Sequence, residues 1–160
     1  MFEKFGEFNS ADEMNTIAAT MLEEGKTDDI IALAKENGID EDDAKDFIDG
    51  VAGELCTPLM AAVGKLKIEA AAVKLPTMME GFVFMINDMA TTEKDLQAGI
   101  RKTGKKLVNV LGELLKESSK NRVALPKEIT EAAGIKSTVY VGDVDRATFK
   151  KIVRKYYTEG

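Results

Sequence analysis

The chain has 160 residues, 44% hydrophobic and 31% charged, with 28 Asp/Glu against 22 Lys/Arg and a formal net charge of −6. That length suits one domain whose core needs neither a metal nor a disulfide, and single-copy Cys56 excludes an internal disulfide in any case. With no His, the chain lacks the usual general base, the commonest zinc ligand and every Ser–His or Cys–His pairing.

Helix signals begin near the N-terminus. Ser10-Ala11-Asp12-Glu13 reads as a capping box, with Met14, Ile17, Ala18, Met21 and Leu22 following at helical spacing up to Gly25. Thr27-Asp28-Asp29 opens a second helix, faced by Ile30, Ile31, Leu33 and Ala34 and stopped by Asn37-Gly38. Asp40 is expected to cap a third, short helix with Ala44, Phe47 and Ile48 inward, ending at Gly50. Thr57-Pro58 starts a long Ala-rich helix over Leu59 to Lys74. Pro76 to Ala90 predicts another, with Met78, Met79, Phe82, Val83, Phe84, Met85, Ile86 and Met89. It is apolar nearly all round and so is expected at the centre.

Thr92-Glu93-Lys94-Asp95 caps the next helix, which runs to about Thr103-Gly104. Lys105 to Glu117 follows, with Leu107, Val108, Val110, Leu111, Leu114 and Leu115 on one side, and Ser118-Ser119-Lys120-Asn121 reads as a loop. Pro126 starts a short helix ending at Gly134. Ser137 to Gly142 is strand-like, and Arg122-Val123-Ala124-Leu125 is its expected partner. A small paired element, or a strand offered to a partner protein, would each satisfy the backbone. Asp143 or Asp145 caps a last helix carrying Phe149, Ile152, Val153, Tyr156 and Tyr157. The fold class expected is therefore mainly α, a compact helical domain with one short strand or a two-stranded element at about residues 122–142. It is read as one domain over 1–160, with an acidic helical arm over 1–54 and a helical core with a basic C-terminal helix over 57–160.

Charge is unevenly placed. Residues 1–60 hold 16 Asp/Glu against 4 Lys, a net −12, whereas residues 61–160 hold 12 against 18 Lys/Arg, a net +6. Such asymmetry marks a binding surface or merely solvates helices. Asp40, Glu41, Asp42, Asp43, Asp46 and Asp49 form the candidate partner-binding face. Carboxylates spaced along short helices imitate a phosphate backbone and suit a basic nucleic-acid cleft. They do not fit a calcium loop, because Ala44 and Lys45 stand where a ligand and the turn glycine belong. The alternative site is basic: Arg101, Lys102, Lys105, Lys106, Lys150, Lys151, Arg154 and Lys155 are placed to grip phosphates, or simply to solvate helix ends.

Gly104-Lys105 lacks the rest of a phosphate loop, and Cys56 has no activating neighbour in sequence. The pair of helices around Asn37-Gly38 has the outline of a helix-turn-helix, but its second helix is too acidic to read DNA. The methionines of 78–89 are expected in the core, with a partner groove as the other reading. No catalytic residue, metal or cofactor is expected. No run of about 18 apolar residues is present, so no membrane span is expected. The opening Met1 to Phe8 lacks the basic start and apolar core of a signal peptide, so a cytoplasmic location is expected.

Several strings carry a family resemblance. Met1 to Ala11, Ala34-Lys35-Glu36-Asn37-Gly38-Ile39, Thr57 to Ala62, Val139 to Arg146 and Lys151 to Tyr157 span most of the chain. Together they resemble a group of small acidic proteins encoded on phages, plasmids and conjugative elements of gut bacteria, associated with anti-CRISPR inhibitors of the Cas9 nuclease. The resemblance implies a non-enzymatic inhibitor whose partner is Cas9 or its guide-RNA complex. The group offers no motif that assigns binding residues. The alternative function is a nucleic-acid-binding accessory protein of a mobile element, using the basic C-terminal half.

Overall fold

The computed structural model describes residues 2–159; Met1, Gly160 and the side chain of Met78 lie outside the described residues. Among the described residues the chain is mainly helical, with nine helices and one two-stranded sheet near the C-terminus. The helices are α1 (Ala11–Glu23), α2 (Thr27–Glu36), α3 (Glu41–Ile48), α4 (Pro58–Val73), α5 (Thr77–Thr92), α6 (Lys94–Arg101), α7 (Leu107–Lys120), α8 (Lys127–Ala132) and α9 (Arg146–Thr158). Strands β1 (Arg122–Ala124) and β2 (Tyr140–Gly142) pair antiparallel, with Val123 opposite Val141. None of these helices is long and apolar enough to cross a membrane.

Local chemistry sets most boundaries. The Ser10 hydroxyl accepts the backbone N–H of Glu13 at 3.1 Å, as expected, but the Glu13 carboxylate reaches one residue further back, to the N–H of Asn9 at 2.7 Å. Thr57 caps α4 by accepting the N–H of Met60 at 3.2 Å, with Pro58 in the first turn, where no backbone donor is needed. Asp145, rather than Asp143, caps α9, accepting from Ala147 and Thr148. Asp40 stands at the cap position of α3 without capping it; its carboxylate instead accepts from Lys67 Nζ at 3.0 Å. The expected loop at 118–121 is mostly helix. Ion pairs of Lys116 with Glu113 and of Lys120 with Glu117, one turn apart, carry α7 on to Lys120.

Two apolar clusters fill the interior. The first joins Phe8, Met14, Ile30, Leu33, Phe47, Leu55 and Cys56 from α1–α3 and the segments before and after them. The second joins Leu66, Ile86, Leu96, Ile100, Val110, Leu114, Phe149 and Tyr157 from α4–α7 and α9. Helix α4 belongs to both: Ala61 packs in the first and its neighbour Ala62 in the second. It packs against α1, α5, α6 and α7, so α4, not α5, is the central helix. Small side chains let several neighbours approach it, whereas α5 leaves Phe84 73% exposed. Gly64 on α4 meets the Asn37–Gly38 turn backbone to backbone, and a Cβ on either glycine would overlap the other segment.

Candidate interaction surfaces

Helix α3 turns Ala44 and Phe47 into the first cluster and its acids outward. Asp40, Glu41, Asp42, Asp46 and Asp49 are exposed and Asp43 is half-buried, so all six predicted carboxylates share one accessible region. Asp42, Asp46 and Asp49 are spaced four and three apart, which places them along one stripe. Asp42 is 97% exposed. Lys45 pairs with Glu41 at 2.7 Å and lies 3.7 Å from Asp42, and the hydrogen bond to Lys45 holds the Glu41 carboxyl below its ordinary range. Within α3, four acids stand against one lysine over eight residues. At about 1.5 Å per residue that is roughly one net negative charge per 4 Å, close to the ~3.4 Å per charge of a single nucleic-acid strand. Beside the helix, Asp43, Asp46 and Glu54 wall a groove of about 380 Å³ floored by Leu55, Cys56 and Met60. Carboxylates over an apolar floor complement the chemistry of a lysine or arginine side chain. Cys56 at its base is inert, since burial pushes the thiol up to about 11.

The eight basic residues do not form one surface. Arg101 is only 1% exposed and lies inside the protein, which removes it from any phosphate contact. Its Nη2 donates to Asn37 Oδ1 at 2.6 Å and the guanidinium sits over the Phe2 ring at 5.6 Å. Arg154 is held by Glu93 in a two-pronged pair, both bonds at 2.8 Å. Lys105 Nζ donates to the Tyr156 carbonyl at 2.7 Å and lies over the same residue's ring. Exposed Lys102, Lys106, Lys151 and Lys155 and half-buried Lys150 remain. Lys106 and Lys155 lie near Tyr156, whose hydroxyl accepts the Lys106 N–H at 2.7 Å, while Lys150 lies beside α5.

A buried polar seam between the two clusters was not visible in sequence. Lys65 is fully buried; its Nζ donates to the Lys102 carbonyl at 2.8 Å and pairs with Glu7 at 2.5 Å. Glu69, one turn on, accepts the N–H of Leu107 at 2.6 Å, and burial raises its carboxyl above the ordinary glutamate value. Asn37, just after α2, and Arg101 of α6 complete the seam. The only linear hint was a lysine and a glutamate four apart in an Ala-rich helix. Among the described residues no group of three or more acidic or thiol side chains is arranged to hold a metal ion. Searches of protein-family models, curated proteins and solved structures find no match to this chain.

Proposed function

We propose that this protein is a non-enzymatic inhibitor that binds the Cas9 nuclease, or its guide-RNA complex, by seating acidic α3 in a basic nucleic-acid cleft. The observation that supports this reading is the exposed set Asp40, Asp42, Asp46 and Asp49 with half-buried Asp43, opposed locally only by Lys45 and Lys67 among the described ion pairs. Its charge spacing is close to that of a nucleic-acid strand, so it competes for the same cationic groups. The choice of Cas9 among nucleic-acid enzymes rests on the sequence resemblance. The lack of His supports action by contact rather than turnover.

A Cas9 cleavage assay with order of addition varied tests the proposal. The protein is expected to inhibit when added before target DNA, and to lose potency as salt rises. Changing Asp40, Asp42, Asp43 and Asp46 to Lys is expected to abolish inhibition while the helical circular dichroism is kept. Unchanged potency in that variant would remove the mimicry mechanism, and a wild-type chain without effect on cleavage would remove Cas9 as the target.

The nucleic-acid-binding alternative retains one supporting observation, the exposure of Lys151 and Lys155 on α9 together with Lys102 and Lys106. It is weakened by the internal position of Arg101 and the occupied side chains of Lys105 and Arg154. A mobility shift by the isolated protein, falling steeply with salt, would favour it over inhibition by mimicry.

A further inference from the structure

A second groove, of about 360 Å³, lies between α5 and the start of α9 and shares no lining residue with the acidic surface. Met85, Met89, Val144 and Phe149 line it, and Phe84 stands at its edge with 73% of its surface in solvent. An aromatic ring so exposed beside a methionine-lined hollow offers an apolar anchor point. Arg146 and Lys150 flank the same hollow, one helical turn apart on α9. Neither makes an ion pair among the described residues, and Glu93, whose carboxyl Lys150 helps to hold low, is already paired with Arg154. Asp88 is the single acid in the lining.

Arg146 follows directly on Asp145, whose carboxylate caps α9. It is the first residue of α9, whose first turn carries no acid, and a cation there opposes the helix dipole.

The geometry points to a docking site for an acidic peptide segment of a partner protein, one that places a bulky apolar side chain against Phe84, Met85 and Met89 and its carboxylates on Arg146 and Lys150. An apolar floor with two unpaired cations selects that chemistry. A polynucleotide would also find a ring and two cations here, but a hollow lined by methionine and valine suits one bulky apolar side chain rather than a run of stacked bases. The inference is independent of the inhibitor reading, because it uses none of the residues of α3.

Fluorescence anisotropy of the full chain against labelled short peptides tests it. The probes carry a central Phe or Leu with Glu and Asp flanks, with the same anchors on Lys flanks and an oligothymidylate as controls. Saturable binding of the acidic peptides is expected, at least tenfold weaker for Phe84→Ala and for the double variant Arg146→Glu, Lys150→Glu. The Lys-flanked peptides are expected not to bind. Arg146→Glu alone is expected to raise the melting temperature while weakening the peptide, which separates a binding role from a structural one. The inference is overturned if no acidic peptide saturates, if the variants bind as well as the wild type, or if oligothymidylate binds more tightly at the same residues.

Discussion

At the seam between the two clusters, Asn37, Lys65, Glu69 and Arg101 are buried, while in the lobe of residues 121–142 Val123, Ile129, Ile135, Tyr140 and Val141 are 39–58% exposed. Each region inverts the ordinary rule of apolar inside and polar outside. The seam ties the turn after α2 to α6, and α4 to the end of α6 and the start of α7, by directional bonds, and a directional bond is lost when its partner shifts. The lobe is two strands of three residues with every strand position exposed, and an isolated strand pair is marginal in water. Charge in the interior therefore fixes how the N-terminal helices sit on the rest. Apolar surface on the lobe stabilises little, because water still reaches it.

Breaking the seam is expected to have the largest effect. Arg101→Ala leaves Asn37 Oδ1 without its 2.6 Å donor and removes the guanidinium from a site already surrounded by Glu7 and Glu69. Truncating a large buried side chain and leaving that acceptor unpaired are together expected to cost about 3–5 kcal/mol, and urea denaturation would measure it. The same change in a surface cation such as Lys151 is expected to cost less than about 0.5 kcal/mol.

Gly64→Val comes next. Any Cβ at Gly64 would collide with the Asn37 carbonyl, and the turn cannot retreat because Gly38, with φ +74°, is packed on Gly64 in return. Overpacking of backbone on backbone is expected to cost about 3 kcal/mol. Gly112→Ala in α7 is the matched control: nothing lies within 4 Å of its added Cβ, and gains in helix propensity of up to about 0.8 kcal/mol are expected.

The pH dependence of the seam sharpens the comparison at smaller amplitude. Burial raises the Glu69 carboxyl above its unfolded value, with the Leu107 N–H and Lys65 acting in the opposite direction. As pH rises, the unfolded chain releases this proton first. The contribution of Glu69 to stability is thus fully present below the ordinary glutamate value and lost as pH rises through the elevated one. Glu69→Gln keeps an acceptor for Leu107 and is expected to remove that slope. Stability relative to the variant, measured by urea titration at successive pH values, should therefore fall across that window; a flat difference would show that Glu69 titrates alike in both states.

How far the sequence disclosed these features follows from what each depends on. Helix starts at Ser10, Thr57 and Asp145 are local, since a side chain meets a backbone N–H two or three residues on, and spacing alone revealed them. The strand pair was legible because Arg122–Leu125 was the best available partner for an otherwise unpaired β-branched run. The outward face of α3 followed from Ala44 and Phe47 one turn apart. The seam was not legible, because Arg101 and Asn37 are 64 residues apart and Arg101 reads as one more surface cation beside Lys102. The central position given to α5 failed for a related reason. Hydrophobic content does not report how closely helices approach, and the small residues of α4 do.

The smallest effect is expected in the lobe, and one substitution made at two sites exposes it. Val123→Thr changes an exposed strand position opposite Val141, where the hydroxyl meets water, so a cost below about 0.5 kcal/mol is expected. Val110→Thr makes the identical change in the second cluster, where Val110 has no exposed surface. A hydroxyl buried there without a partner costs about 1–3 kcal/mol. Backbone amides of Val123 and Val141 are likewise expected to exchange hydrogen faster than those of Leu111 and Leu114, because opening the lobe exposes little that is not already wet. If both threonine variants lost the same stability, the lobe's apolar residues would have to be covered in solution, and the contrast between a rigid seam and an open lobe would fail.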